Sequence, residues 1–295
     1  MLEEYLRHIE GKGDRGGLRK SSVKNYQFFL RKFDEWMRNE KGTDITDFTI
    51  ADVEKFAASH DNWGPKTKNQ FYVIIKGFAK FLKSRLPRSL TMDEYIRRRD
   101  ELDAIDNLMR YRVVEDIKKR AATREELYKI LTACKDNFRD FSFIYLSAYF
   151  GTRKGELLSL RFSDVDFDKN LIILKGEKTK TGVGRPLFFN DFTAEVLEKC
   201  KRYYSSERIL PIGLCSCNTI CTKYQNLVQG GIFTPHSLRR TFITEMMKEL
   251  NDEILVKLLA GHTTKTDMTA LYSQRIDDMR VAMTEKHYMR DWGWE

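Results

Sequence analysis

Three separated segments of the chain carry residues able to do chemistry on an anionic phosphorus centre. In the first, Gly151-Thr152-Arg153-Lys154-Gly155-Glu156, an arginine and a glutamate stand one helical turn apart just after a glycine. In the second, Thr234-Pro235-His236-Ser237-Leu238-Arg239, an imidazole and a guanidinium three residues apart share one face at the start of a helix, near the positive end of its dipole. The third runs from Gly261-His262 to Tyr272. Attack on a phosphodiester adds charge to its nonbridging oxygens, and planar guanidinium forks aimed at those oxygens favour the transition state over the ground state. Arg153 and Arg239 suit that clamp. Tyr272 has a hydroxyl that becomes a nucleophile once its proton is taken, and His236 is the candidate base, because an imidazole ordinarily titrates near neutrality.

Elements of two kinds must position these groups. Apolar residues at three- and four-residue spacing, Tyr26, Phe29, Leu30, Phe33, Trp36 and Met37, predict an amphipathic helix over 22–40 with a basic side. A shorter helix is expected over 50–58, and a third from Pro65, a residue favoured at the first helical position. Met92 to Arg112 reads as a polar helix containing Arg97-Arg98-Arg99, a run expected to be a solvated face or a phosphate-contacting surface. Thr123-Arg124-Glu125-Glu126 offers a capping box, and the boundary is placed there: residues 1–112, a linker at 113–122, and 123–295. The second part mixes helices (124–134, 140–150, from about 154, 193–204, 237–250, 252–259) with strands at 165–167, 171–174 and 186–189. The whole is expected to be mainly α with a small antiparallel three-stranded sheet, an α+β fold. Between the last two strands lies a turn rich in glycine and lysine, with Lys175, Lys178 and Lys180.

Composition narrows the setting. The 295 residues hold 52 Lys and Arg against 43 Asp and Glu, a net charge of +9, divided as 23 basic against 18 acidic residues over 1–112 and 29 against 25 over the remainder. A positive balance suits a polyanionic partner, because each cation placed on a phosphate releases condensed counterions. Lys24, Arg31, Lys66, Lys68, Lys76 and Arg240 are the candidate contacts to such a partner. No apolar run reaches the length of a membrane span, and the N-terminus lacks the features of a secretion signal, so a cytoplasmic location, on a nucleoid or in a host cell, is expected. Five cysteines, odd in number and sparse, fit a reducing compartment, and Cys215, Cys217 and Cys221 lack the second knuckle that a zinc site requires.

Taken together and in this order, the segments resemble the tyrosine recombinase family of phage-type integrases and Xer-like site-specific recombinases. The matching motifs are Gly-x-Arg-x-x-Glu at 151–156, a lysine in a β-hairpin turn, His-x-x-Arg at 236–239, Gly261-His262, and Tyr272 ten residues on. The resemblance covers about 123–275, and the first part looks like the family's core-binding domain. It implies a catalytic set of Arg153, Lys180, His236, Arg239, His262 and the nucleophile Tyr272, supported by Glu156. Lys180, preferred to Lys178 for its Thr-Lys-Thr-Gly context, is the expected general acid. It also implies duplex DNA clamped between the two parts, a 3′-phosphotyrosyl intermediate, a Holliday junction and a tetramer on DNA. The scheme requires neither metal nor other cofactor. A type IB topoisomerase and a catalytically silent DNA-binding regulator are the alternatives. The chain departs from the family pattern at Ala260, at Arg240 and in the His262 to Tyr272 interval, which is one residue longer than usual. That interval, with the apolar Ile276, Met279, Met283, Tyr288, Trp292 and Trp294, leads to the expectation that the tail docks on a neighbouring protomer.

Overall fold

The stripe of apolar residues in the first part folds as helices α1 (Leu2–Gly11), α2 (Lys20–Lys41), α3 (Ile50–Ala58), α4 (Pro65–Lys83) and α5 (Met92–Ala104). The computed structural model describes residues 1–11, 18, 20–114, 120–179, 182–262 and 268–292, and the chain divides into two units, Met1–Glu115 and Asp116–Glu295. The core of the first unit is aromatic: Phe33, Phe56, Phe71 and Phe78 are buried, with the Phe33 and Phe56 rings 5.0 Å apart. Reciprocal caps start two of the helices. Thr49 and Asp52 begin α3, and Thr91 and Glu94 begin α5, each pair satisfying backbone N–H groups that have no partner inside the helix.

Two features differ from the sequence reading. Helix α1, absent from the sequence reading, adds three anchors, Tyr5, Leu6 and Ile9, with the Tyr5 ring 5.2 Å from that of Phe78. The polar helix expected to reach Arg112 stops at Ala104 and gives way to a 3₁₀ turn at Ile105–Asn107. There Lys76 donates to the carbonyls of Asp106 (2.8 Å) and Leu108 (3.2 Å), drawing the chain off the helical path. Within the arginine triplet, Arg98 is bound to the carbonyls of Thr46 and Phe48 and so serves the fold.

The second unit continues with α6 (Arg124–Cys134), α7 (Phe138–Phe150), α8 (Lys154–Ser159), strands β1 (Val165–Asp166), β2 (Leu171–Leu174) and β3 (Arg185–Phe188), then α9 (Asp191–Tyr204), α10 (Leu214–Lys223), α11 (Pro235–Leu250), α12 (Glu253–Ala260), α13 (Met268–Gln274) and α14 (Ile276–Thr284). The strands form an antiparallel sheet in the order β1-β2-β3, with Ile172 opposite both Val165 and Leu187. Helix α7 is buried along its length and packs on α11. Gly151 caps it in the left-handed region at φ 56°, and a Cβ there would lie 2.1 Å from the Phe242 ring, so this close helix crossing requires glycine. Helix α10 was not foreseen; it buries Cys217 and Cys221, one turn apart, in the core.

The tail corrects an expectation. Met279, Met283 and Tyr288 are buried in the core of their own unit rather than left for a neighbouring protomer, and Trp292 packs partly against the same core. Tyr288 donates its hydroxyl to the Ala148 carbonyl at 3.0 Å. His287 stacks on Tyr149 with ring centres 4.1 Å apart. Trp294 lies outside the described residues. Among the described residues, no helix is long and apolar enough to cross a membrane.

Candidate active site

The C-terminal end of α12 is the point at which the separated segments meet. Four consecutive carbonyls there accept from four different side chains. Tyr272 Oη donates to Leu258 (3.3 Å), Arg185 Nε to Leu259 (3.2 Å), Arg239 Nη1 to Ala260 (2.6 Å) and Arg153 Nη1 to Gly261 (3.3 Å). The last carbonyls of a helix lack intrahelical partners and carry the negative end of its dipole, so they attract guanidinium groups that would otherwise repel one another. Gly261, at φ 69°, makes the left-handed turn that ends the helix and delivers His262.

Arg239 is almost wholly buried, 2% exposed. Its Nη1 also donates to the Gly151 carbonyl at 2.7 Å, so one guanidinium joins the C-terminal ends of α7 and α12. Its Nη2 is buried without a hydrogen-bond partner. Burial first, then the charges of Arg153 and Arg185, lower its pKa to about 10, which still leaves it protonated at neutral pH. Such a donor is costly unless an anion completes it.

Arg153, at the start of α8, donates its Nη1 to Glu156 Oε1 at 2.8 Å, and its backbone N–H donates to Oε2 at 3.1 Å. Arg185 at the head of β3 reaches the same Oε2 at 3.1 Å. Glu156 is 2% exposed. Burial pushes its carboxyl up, but the charge of Arg185 and the hydrogen bonds from Arg153 outweigh that and hold it below the usual range, hence ionised. The sequence reading named Glu156 as a supporting residue and did not identify Arg185 as its second partner. The available signal was an arginine opening an otherwise apolar strand, Arg185-Pro-Leu-Phe-Phe.

Beside these groups, Thr152, Arg153, Lys154, Gly155, Asn218, Thr234, Pro235, His236 and Arg239 line a cavity of about 440 Å³, with no acidic side chain in its wall among the described residues. His236 is exposed in the first turn of α11, whose N-cap is Thr234. His262 is half-buried, and burial followed by the charges of Arg239, Arg153, Lys257 and Arg185 holds its pKa below the ordinary value, so it is neutral at pH 7. Tyr272 is 8% exposed. Burial raises its pKa, Arg185 and Arg153 act against that, and Glu156 adds to it. A buried hydroxyl of raised pKa does not ionise unaided, so attack requires a base.

Lys180 lies outside the described residues. The other turn lysines converge on the buried carboxylate of Asp164, Lys178 at 2.7 Å and Lys175 at 3.8 Å. In the first unit Lys24, Arg31 and Lys66 are exposed, Arg31 pairing with Glu3 at 3.1 Å. Lys68 is half-buried over the Tyr111 ring, and Lys76 is bound to two carbonyls. Arg240 is half-buried on α11.

Residues 120–278 match the sequence model of the phage integrase family. A tyrosine recombinase of Agathobacter rectalis is 25% identical over 183 residues, covering 56% of this chain and 59% of the relative. The tyrosine recombinase XerA of Saccharolobus solfataricus is 32% identical over 166 residues, 55% of this chain and 54% of the relative. The chain thus spans little more than half the length of these two relatives. Among solved structures, a lambda integrase dimer bound to a COC′ core site superposes with a TM-score of 0.67 at 16% identity, covering 90% of this chain and 94% of that one, a likeness of fold.

Proposed function

Because the chain belongs to the phage integrase family, whose model spans more than half of it, we propose that it is a site-specific DNA recombinase that cuts and rejoins duplex DNA through a tyrosine. The observation that carries this reading is Arg239. Its guanidinium is locked by the Gly151 and Ala260 carbonyls yet keeps one buried donor that has no partner among the described residues, beside a cavity lined by Arg153, Lys154 and His236 in which none of the described residues supplies a carboxylate. That is an environment for a phosphodiester.

In the proposed reaction Arg153 and Arg239 hold the nonbridging oxygens, and His262, neutral and next to both, donates a further hydrogen bond. Tyr272 leaves the Leu258 carbonyl, gives its proton to His236 and attacks phosphorus. The phosphorus to 5′-oxygen bond breaks as the tyrosyl bond forms, leaving a 3′-phosphotyrosyl link and a 5′ hydroxyl that takes a proton from Lys180. A 5′ hydroxyl from a second duplex reverses these steps, so one phosphate ester is exchanged for another without an outside energy source. Carried through in pairs, the exchange passes through a Holliday junction in an assembly of four protomers. We assign residues 1–112 as the core-binding domain, with Lys24, Arg31, Lys66 and Lys68 on DNA phosphates, 113–122 as the linker and 123–295 as the catalytic domain, to which Arg240 adds a contact. The reaction takes place where the DNA is, in the cytoplasm or nucleoid of the host cell.

Covalent trapping tests this. The protein first selects a binding site from a random duplex library, and that duplex is then nicked beside the cleavage point. A denaturant-resistant protein–DNA adduct is expected with the wild type and none with Tyr272→Phe. Absence of an adduct on a bound site would refute the reading, and adducts accompanied by supercoil relaxation without recombinants would reassign the chain to topoisomerase chemistry.

A further inference from the structure

Three arginines gather at the end of α12, and one of them, Arg185, takes no part in the reaction just described. Its side chain is 1% exposed. Nε donates to the Leu259 carbonyl and Nη2 to Glu156 Oε2. A Cβ on Gly261 would fall 2.4 Å from Nη1, so the left-handed turn before His262 lies directly against the guanidinium. Glu156 in turn receives Arg153 on its other oxygen.

We propose that Arg185 is the positioning residue of this site, fixing through Glu156 where the Arg153 guanidinium lies and through Leu259 and Gly261 where the carbonyls that hold Arg239 and Tyr272 lie. The inference rests on the recombinase reading above. A guanidinium is a rigid planar fork, so its donors keep their mutual angle, and a carboxylate bound on one oxygen cannot turn without moving whatever is bound on the other. Glu156 therefore transmits the placement of β3 to Arg153. The same fork is bound to the end of α12, whose next carbonyl holds Arg239. The spacing of the two phosphate-clamping arginines is thus set by a residue that reaches neither the phosphate nor the nucleophile's bond. Lysine, a single ammonium, satisfies the charge of Glu156 but not both directions at once.

The test is single-turnover adduct formation on the nicked, protein-selected duplex, read as a rate constant and an amplitude on the DNA-bound fraction. Two variants are used: Arg185→Lys, and Arg185→Met combined with Glu156→Gln, which removes both buried charges together and so avoids leaving one unpaired. Both are expected to bind the intact site within about threefold of wild type and to reach full amplitude, with a rate constant lowered about 100-fold, the scale of an ångström misplacement at a reacting centre. In an Arg153→Lys background the Arg185→Lys change is expected to cost less than about fivefold, because Arg185 acts through Arg153. A rate constant within about threefold of wild type in either variant overturns the proposal. So does a lowered amplitude at unchanged rate, the mark of a purely structural role, or an equal cost in both backgrounds. A wild type that forms no adduct defeats the recombinase reading itself and the proposal with it, whereas wild-type adducts with unaffected Arg185 variants defeat the proposal alone.

Discussion

The two units use the same cation in opposite ways. In the first, cations such as Arg31 and Lys55 stand in water: Arg31 meets Glu3 and Lys55 meets Glu40 with all four side chains largely exposed, pairs that contribute little and are screened by salt. In the second, Arg239 and Arg185 are almost wholly buried and hold their charge through helix-end carbonyls and one glutamate. Water tolerates many arrangements of a surface lysine. A buried guanidinium tolerates very few, because every donor that loses its partner costs free energy. On the proposed reading the first unit is therefore fitted to graded attraction to DNA, and the second to holding a few groups at fixed spacing.

Five measurements would sharpen or break that contrast. Tyr272→Phe should abolish adduct formation, since no oxygen remains to bond phosphorus, with DNA binding retained. Arg239→Met should lower the adduct rate by roughly 10²- to 10³-fold while binding of the intact site falls much less, since the loss lies in the transition state. Comparable losses in rate and binding would mean that Arg239 acts like a surface cation. Gly261→Ala should destabilise the second unit by roughly 1–3 kcal/mol in urea unfolding, because the left-handed backbone at φ 69° and the adjacent Arg185 guanidinium both oppose a side chain.

The fourth concerns pH. Burial holds His287 down to about 3, with Nδ1 accepting from the Met289 N–H and Nε2 therefore donating to the Tyr149 carbonyl. The unfolded chain binds a proton near pH 6.5 that the folded chain refuses, so stability rises with pH between about 3 and 6.5 and is lost as pH falls through that window, by about 1.4 kcal/mol per unit. The depressed His262 acts in the same direction. In the first unit the lowered groups include Asp52, whose contribution is lost only near and below the ordinary carboxylate range. Between pH 6.5 and 5 the second unit's melting temperature should thus fall, and His287→Phe should flatten the slope; a slope unchanged by that substitution would remove His287 as its source. Smallest in effect, Lys24→Ala or Lys66→Ala should weaken DNA binding a few-fold on any sequence and reduce the salt slope by about 1 each.

How much was legible in the residues differs between the site and its supports. Arg153, His236 and Arg239 were singled out in short motifs of local spacing, such as His236 and Arg239 one turn apart on α11, and Tyr272 by the order of those motifs in the resemblance. The mainly helical class and the small sheet were readable because periods of 3.6 and 2 residues are local as well. Arg185 was not, because its meaning depends on a glutamate 29 residues earlier and a carbonyl 74 residues later. The destination of Met279, Met283 and Tyr288 was hidden for a related reason: an apolar stripe demands a surface to cover but does not say whose. Helices α1 and α10 are short, ten residues each, and α10 has few apolar residues at helical spacing; α1 does carry such a stripe in Leu2, Tyr5, Leu6 and Ile9, which the reading of the chain passed over.

The sequence by itself thus determined which groups are present, in what order, and on which helical faces, since propensity, capping and periodicity act over a few residues. Only the tertiary structure decided that the end of α12 would collect Tyr272, Arg185, Arg239 and Arg153 on four successive carbonyls. A helix end offers those acceptors to any donor that packing brings near, and which donors arrive is settled by the close crossing of α7 on α11 at Gly151, by β3, and by the tail closing over its own core.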